Sequence, residues 1–495
     1  MHLNKIYTWL RHPGESLSQR VVHGGIWVFA LRITDRLFGL ARTIILARLL
    51  APTDFGLFGI ALLAMSALET FSQTGFNAAL IQKKEDTKPY LDTAWTVQAT
   101  RGIFLALILF LIAPYVAAFF EAPAAKPILQ VIGLSALLQG FTNIGVIYFQ
   151  KELEFHKQFV YMFSGTLVNV GVAISAAFLL RSVWALVFGL LAGNLVRMVV
   201  SYFIHPYRPR PRLEGAKAKE LYTFGKWILG SSIVVFLATQ GDDIFLGKVL
   251  GVTTLGLYQV AFRFSNLMAT EITHVISQVT FPAYSKLQDN IPKLREGFLR
   301  TVEATASLSL PLTAGIFILA PDFVRLFLGE KWMPMVPALR ILSISGLIRS
   351  IAATGVLFRA VGRPSLVFWM NSVRVVVIAF SIYPLTVRYG VGGTAIAVLL
   401  GIAGTIPVWW KASSKIVHYS TKKLLRDRLL PSIVGSSLMA SVVLVIQGAF
   451  NPIGFIEFAG LVASAMISYI ACQLLFWRFY RLGLIKTLQT LRRAV

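Results

Sequence analysis

Apolar stretches long enough to cross a membrane recur from one end of the chain to the other. A helix that spans the hydrocarbon core needs about 20 mostly apolar residues. The predicted membrane helices occupy residues 24–48, 55–80, 93–119, 127–149, 158–180, 183–204, 223–250, 255–282, 300–328, 335–358, 365–387, 391–411, 430–450 and 454–477. The sequence therefore predicts an all-α polytopic membrane protein with about 14 transmembrane helices. The connections between them are too short to hold an inserted soluble domain.

The composition agrees with this fold class. Hydrophobic residues make up 56% of the chain and charged residues 14%, and the mean hydropathy is +0.69. Soluble domains average about 45–50% apolar and about 25% charged residues. The only cysteine, Cys472, excludes an internal disulfide and a cysteine-based zinc site. We expect no metal, no cofactor and no catalytic residue.

The formal net charge of +25 is distributed unevenly over the connections. Lys and Arg are concentrated at the N-terminus, in every second loop and at the C-terminus, and they are sparse in the other loops. Basic loops resist translocation and stay on the cytoplasmic side. We therefore expect both termini to be cytoplasmic and the high charge to need no nucleic-acid partner. The first apolar stretch lacks a short h-region followed by a small-residue cleavage site, so we expect no cleavable signal peptide.

Two segments of the chain match each other after a shift of 200 residues. The segment ILARLLAPTDFGLF at 45–58 aligns with FLGKVLGVTTLGLY at 245–258. A shift of 210 residues then aligns Pro127 with Pro337 and Gly145 with Gly355. The shift moves the first helix onto the seventh, so both copies have the same orientation in the membrane. It predicts two six-helix bundles in a parallel pseudo-two-fold repeat, followed by two C-terminal helices.

The predicted division follows from this repeat: a cytoplasmic N-terminal segment, the N-terminal bundle, a basic linker, the C-terminal bundle, a basic loop, and the last two helices with a basic tail. Their ranges are 1–22, 23–205, 206–222, 223–412, 413–429 and 430–495. Parallel-repeat transporters bind substrate between such halves. The alternative is that the repeat reflects only common descent of a structural unit.

Charged and amide side chains lie inside several predicted membrane helices. Each Arg, Lys or Asp at a helix centre costs about 2.5–3.5 kcal/mol on insertion. On the first two helices of each repeat they form stripes, which we expect to line a water-filled cavity. The substrate-binding candidates are Arg32, Arg36, Arg42, Arg101, Arg263, Arg349, Gln73, Asn77 and Asn266, and Arg197 and Arg374 are further candidates. The ion-coupling candidates are Asp35, Glu69, Asp242, Asp243, Glu271 and His274. The alternative is structural pairing, such as a local pair between Arg32 and Asp35.

Four segments resemble signatures of a known family. They are RTIILARLLAPTDFGLFGIALL at 42–63, GDDIFLGKVLGVTTLGLYQVAFRF at 241–264, FPAYSKLQD at 281–289 and FLGEKW at 327–332. The chain resembles the polysaccharide transporter family, in its O-antigen, teichuronic acid and colanic acid flippase group. That family belongs to the multidrug/oligosaccharidyl-lipid/polysaccharide exporter superfamily. The matching motifs lie at helix ends, where they indicate the family but hardly the substrate.

The resemblance implies a flippase of the bacterial inner membrane. Its substrate would be an undecaprenyl-diphosphate-linked glycan, which an arginine-containing cavity can hold by charge-assisted hydrogen bonds. The polymerase and chain-length machinery of polysaccharide synthesis would be further partners, beside the lipid bilayer. No Walker-type ATP motif is present in the sequence, so transport would depend on an ion gradient or on substrate supply. The alternatives are a lipid II or a multidrug/cation exporter of the same superfamily. A membrane polymerase or ligase is disfavoured because the chain lacks a large external loop.

Overall fold

The computed structural model describes residues 17–72, 76, 80, 81, 87–352, 355–450 and 454–480. Within these ranges the chain is helical and contains no β-strand. The long helices, labelled α1 to α14, are Leu17–Leu49, Pro52–Phe71, Lys88–Phe119, Ala125–Gly140, Phe155–Leu180, Trp184–Ile204, Gly215–Val249, Gly251–Leu287, Ile291–Phe323, Val336–Ile351, Ser365–Ala403, Ile406–Val417, Leu430–Phe450 and Phe455–Tyr480. The predicted all-α fold class is confirmed.

Within the same described ranges, length and composition show which helices can cross a membrane. Nine helices or continuous helical segments are long and apolar enough to cross a membrane, and ten if one bent pair counts as a single span. Helix α1 is not among them, and it carries the charged side chains of Arg32, Asp35, Arg36 and Arg42. The protein is therefore a multi-pass membrane protein, whereas the count of 14 spans and the repeat arrangement stay predictions.

The predicted helices at 365–387 and 391–411 differ from the observed ones. Helix α11 continues to Ala403, and α12 begins separately at Ile406. Inside α11 the backbone is non-helical at Gly390, where φ is 58° and ψ is −136°. Only glycine adopts such an angle without strain, so the break between the two predicted helices falls on this residue.

The predicted helix at 127–149 is bent by 71° rather than straight. Helix α4 ends at Gly140, and a 3₁₀ turn and a short helical turn follow at Ile144–Ile147 and Tyr148–Lys151. The buried side chain of Asn143 occupies the break, where its Oδ1 accepts from the Gly145 N–H at 2.9 Å. Its Nδ2 donates to the Tyr207 carbonyl oxygen at 2.7 Å, and its own N–H donates to Ser201 Oγ at 3.0 Å.

The chain divides into two compact units. The first contains the described residues up to Phe236 and also Gly251–Gly256, and the second contains Leu237–Leu250 and the residues from Leu257 onward. In the first unit α3 packs on α4, α5 packs on α6, and α1 packs on α5. A Cβ at Gly102 would lie 2.7 Å from the Ala136 carbonyl oxygen, so the α3–α4 crossing needs a glycine. Small residues permit such close approach of helices in lipid.

The start of α2 coincides with one of the family-like segments. Pro52 occupies the first turn of α2, where its missing N–H costs nothing. One carboxylate oxygen of Asp54 accepts from the Ala51 N–H at 2.9 Å, and the other accepts from the Val183 N–H at 2.9 Å. A single aspartate thus caps α2 and fixes the turn that precedes α6.

In the second unit the last two helices pack against α9. Met439 and Val443 of α13, Leu461 and Tyr469 of α14, and Leu319 of α9 share one apolar cluster. The Tyr469 hydroxyl donates to the Ser307 carbonyl oxygen of α9 at 2.7 Å. Helices α13 and α14 are therefore an integral part of this unit.

Candidate functional site

The polar side of α1 contacts α5 through two pairs in the first unit. Thr166 donates its hydroxyl to Asp35 Oδ1 at 2.9 Å, and Arg42 donates to Asn169 Oδ1. Asp35 and Arg42 lie two helical turns apart on α1, and their partners lie three residues apart on α5, so both sets share a helix face. At these two positions, the polar side of α1 therefore faces α5.

Arg197 of α6 joins the same network. Its Nη2 donates to the Thr166 hydroxyl at 3.2 Å, and its side chain lies over Gly165 of α5. Its Nε is buried and has no hydrogen-bond partner. A buried N–H of a charged group without a partner is costly, so this nitrogen is available to a ligand. We name the set of Asp35, Arg42, Thr166, Asn169 and Arg197 the first-unit network.

The other α1 arginines occupy different environments. Arg32 is half-buried, and Arg36 is exposed. The structure thus places Arg42 in the first-unit network, and it places Arg36 at the surface of this unit.

Arg101 and Glu69, which were predicted for different roles, lie together. Arg101 Nε donates to Ser72 Oγ at 2.9 Å, and its Nη2 donates to the Glu69 carbonyl oxygen at 2.9 Å. The guanidinium of Arg101 also attracts the Glu69 carboxylate electrostatically. Cations stabilise a helix C-terminus by pairing with its last carbonyls, and Arg101 does this for α2. Gln73 and Asn77 lie outside the described residues.

In the second unit, the buried carboxylate of Asp242 lies near the buried guanidinium of Arg374. The Tyr258 hydroxyl of α8 donates to Asp242 Oδ2 of α7 at 2.6 Å, and these residues are 0% and 4% exposed. Arg374 of α11 is 8% exposed and attracts the Asp242 carboxylate. The adjacent Asp243 has a buried Oδ1 without a hydrogen-bond partner.

Arg349 of α10 extends this cluster. It donates to Asn266 Oδ1 of α8, and its guanidinium is repelled by Arg374 and attracted by Asp242. Buried charges persist in a protein only when they are compensated, and here both arginines interact with the carboxylate of Asp242. We name the set of Asp242, Asp243, Tyr258, Arg349 and Arg374, together with Asn266, the second-unit cluster.

The remaining α8 candidates do not join that cluster. Arg263 is exposed and Glu271 is half-buried. The side chain of His274 lies outside the described part of the chain.

A cleft rich in hydroxyl groups lies between α8, α9 and α10. It is narrow and partly open to solvent, and it is lined by Ser265, Ser309, Thr313, Ser343 and Ser350, with aliphatic side chains. Ser309 and Ser350 are hydrogen-bonded to each other at 2.8 Å. Ser265 and Ser350 are chain neighbours of Asn266 and Arg349, so the cleft adjoins the second-unit cluster. Serine is common in membrane helices, so this grouping was not predicted from the sequence.

The second unit contains a further ionic cluster that was not predicted from the sequence. Arg428, which precedes α13, donates to Glu303 at 2.7 Å and to Glu296 at 3.0 Å, and both glutamates lie on α9. The Glu303 side chain is only 3% exposed. A carboxylate inside an apolar helix is a signal of a buried partner, but the partner lies 125 residues further along the chain.

The segment that follows α6 is fixed against α3. The Tyr207 hydroxyl donates to Asp92, the Arg210 N–H donates to the same carboxylate at 3.0 Å, and the Arg212 N–H donates to Thr96 Oγ1 at 2.9 Å. Burial, followed by the charge of Lys157, lowers the pKa of His205 below its ordinary value. Burial and the bond to Asp92 raise the pKa of Tyr207. The positive charge here therefore comes from the exposed side chains of Arg208, Arg210 and Arg212.

The helices and their buried polar groups together define a class of protein. It is a polytopic α-helical membrane protein in which arginines form hydrogen bonds between helices in each of two units, beside buried carboxylates in the second. A family model described as polysaccharide biosynthesis protein matches residues 45–337, which is more than half of the chain. The chain belongs to this family.

Comparisons with individual proteins agree with the family. The chain is 27% identical over 389 residues to the lipopolysaccharide biosynthesis protein WzxC of Escherichia coli (strain K12), covering 78% of each chain. It is 24% identical over 360 residues to the teichuronic acid biosynthesis protein TuaB of Bacillus subtilis (strain 168), covering 72% of this chain and 74% of that protein. A structure of the lipid II flippase MurJ in an inward closed conformation superposes with a TM-score of 0.72 at 14% identity, covering 92% of this chain and 99% of that one. The last likeness concerns the fold alone.

Proposed function

We propose that the protein is a flippase that moves an undecaprenyl-diphosphate-linked oligosaccharide from the cytoplasmic to the outer leaflet of the bacterial inner membrane by alternating access. The observation that carries this proposal is the presence of arginines inside the helix bundles, with Arg42 and Arg197 in the first unit and Arg349 and Arg374 in the second. Membership of the polysaccharide biosynthesis family supports the glycan part of the substrate.

The chemistry of the substrate fits these side chains. A diphosphate carries negative charge and several acceptor oxygens, and guanidinium groups bind such groups by charge-assisted, often bidentate hydrogen bonds. Arginine keeps its charge when buried and presents a planar fork, which suits repeated contact with a diphosphate better than lysine does. The polyprenyl tail can stay in the lipid while the sugar hydroxyls need polar partners. The cleft lined by Ser265, Ser309 and Ser343 supplies such partners in the second unit.

The test is a flipping assay with the purified full-length protein in lipid vesicles. Undecaprenyl-diphosphate oligosaccharide is placed in both leaflets, and a glycosidase is added outside. Without protein only the outer pool should be cleaved, and with protein the inner pool should become accessible as well. Lipid II and a hydrophobic cation serve as competing substrates in parallel vesicles. Preferential transport of lipid II or of the cation would replace the proposal by one of the alternative exporters. Growth of the glycan chain in the same vesicles would indicate a polymerase instead.

The second-unit cluster is the proposed ion-coupling site. When Asp242 is ionised it attracts Arg374, and proton uptake by Asp242 removes this attraction and leaves Arg374 free to bind an anion. We assign coupling to Asp242 because it is buried beside both an arginine and a tyrosine. Coupling at Asp242 would tie the affinity for the diphosphate to the proton gradient.

Asp242→Asn is expected to abolish the response of transport to an imposed proton gradient. Asparagine keeps an acceptor for the Tyr258 hydroxyl, so the helix contact should survive, but the residue no longer titrates. The measurement is the flipping rate in vesicles with and without a gradient. Asp322→Asn is the matched control, because Asp322 also has a neutral partner, Gln447, but lies outside the cluster. An unchanged gradient response in Asp242→Asn would exclude this site as the coupling group.

The proposed orientation places both termini in the cytoplasm, as the basic connections predict. A reporter fused to the C-terminus that is active only outside the cell would contradict it.

A further inference from the structure

Helix α12 and the segment that connects it to α13 present a row of cations. We name residues 406–428 the basic hairpin. Its exposed cations are Lys411, Lys415, Lys422, Lys423 and Arg426. Lys411 and Lys415 lie one turn apart on α12 and therefore share one face. The remaining cation, Arg428, is directed inward to Glu303 and Glu296.

The positive charge of this surface is barely compensated within the hairpin. Asp427 is the only acidic residue in 406–428, and its Oδ1 lies 3.9 Å from Arg426 Nε. An exposed pair at such a distance contributes little free energy. Five exposed cations thus face one weakly engaged carboxylate.

Internal hydrogen bonds and packing against α9 stabilise the conformation of the hairpin. Trp410 Nε1 donates to Thr421 Oγ1 at 2.6 Å, and the Ser413 and Tyr419 hydroxyls are 3.0 Å apart. Arg295 of α9 donates from Nε to the Val417 carbonyl oxygen at 2.9 Å. Val417, Tyr419 and Leu424 are buried in an apolar cluster that includes Phe298 of α9. The cations are therefore displayed by a fixed scaffold with preset spacing.

Apolar side chains are exposed beside these cations. Ile406, Trp410, Leu425 and Leu430 all have accessible side chains. An indole and aliphatic groups next to cations, at the ends of apolar helices, are the composition found at the boundary between headgroups and hydrocarbon. This boundary is where the phosphates of phospholipids lie.

We propose that the basic hairpin is a docking surface for the headgroups of anionic phospholipids in the adjoining leaflet. Clusters of four to eight Lys and Arg next to a membrane helix bind anionic lipid because the surface potential there is negative. The exposed cations complement the negative charge of a lipid phosphate. The exposed side chains of Trp410 and Leu425 favour a lipid over free phosphate, because they can contact acyl chains. None of the hairpin residues belongs to either polar network, so this inference does not depend on the proposed substrate.

The test uses the full-length protein in detergent, titrated with phosphatidylglycerol or with phosphatidylcholine. The readouts are the number of bound lipids in native mass spectra and the thermal unfolding midpoint. Near a membrane each cation contributes roughly fivefold to the binding of anionic lipid. The double variant Lys422→Gln/Lys423→Gln should therefore raise the phosphatidylglycerol concentration for half-maximal effect about 25-fold. Lys411→Gln/Lys415→Gln should act similarly.

Two controls make the result specific. Lys126→Gln/Arg388→Gln removes two exposed cations from loops predicted to lie on the opposite side of the membrane and should leave phosphatidylglycerol binding almost unchanged. Lys422→Arg/Lys423→Arg keeps the charge and should retain binding. Equal effects of the two lipids on the unaltered protein, or equal losses in the hairpin and control variants, would overturn the proposal. Stabilisation by inorganic phosphate alone at matched concentration would likewise replace the lipid by a free anion.

Discussion

Replacing Arg32 or Arg263 by alanine is expected to stop glycan export while the protein remains folded in the membrane. Arg263 is exposed and Arg32 is only half-buried, so neither side chain is part of a packed core. An arginine inside an apolar helix is unfavourable for insertion, and its removal should not reduce membrane insertion. Loss of one charge-assisted contact with a diphosphate costs about 1.5–3 kcal/mol, which is roughly ten- to a hundredfold in binding.

The measurement is surface glycan in cells that lack their own transporter, with the membrane level of each variant determined in parallel. Lysine at either position should restore export partly, because it keeps the charge but not the planar fork. Asp35→Asn is the control for a structural contact, since it weakens the bond to Thr166 without removing a cation. Normal glycan in both alanine variants would rule out a diphosphate contact at these two arginines. Loss of the protein from the membrane would favour structural pairing.

Arg428→Met is expected to destabilise the second unit by about 3–5 kcal/mol. Without the guanidinium, the buried carboxylate of Glu303 loses the cation that pairs with it, and removing one partner of a buried pair has an effect of this size. The same change removes the ion pairs that join the start of α13 to α9. The thermal unfolding midpoint of the purified protein measures the loss.

An exposed ion pair provides the control for that experiment. Arg325 and Glu330 are 2.8 Å apart, but their side chains are 57% and 71% exposed. Arg325→Met should change stability by about 0–1 kcal/mol, because exposed pairs are screened by water. Adding Glu303→Leu to Arg428→Met should recover most of the loss, because the buried charge is then gone. A small effect of Arg428→Met alone would mean that Glu303 is neutral or hydrated.

The positions of the helices could be predicted because the signal is local. A run of about 20 apolar residues is sufficient to identify a span, and each predicted segment overlaps an observed helix. The junction at Arg181 was also predicted, and there the backbone enters the left-handed region with φ of 46°. The bend after Gly140 was not predicted, because it depends on Ser201 and Tyr207, which are distant in sequence.

The candidate site was predictable only at the level of residue type. Charged residues in apolar helices identified Arg42, Asp242 and Arg349 as candidates. Asn266 was also a candidate, but the pairing of these side chains with Asn169, Tyr258 and Asn266 was not predicted, because helix packing is not encoded in a local pattern. The interpretation of Arg101 as a substrate contact remains a prediction, since its observed bonds are to the end of α2.

The bend that follows α4, between Gly140 and Ile144, limits how this end of the first unit can move. A kink with unsatisfied backbone groups acts as a hinge, but Asn143 supplies three hydrogen bonds at the break and joins it to Ser201 at the end of α6 and to Tyr207. Any opening or closing of the bundle must therefore displace the bend, the end of α6 and the segment at Tyr207 together as one rigid corner. The pivot for such a motion has to lie elsewhere in the chain.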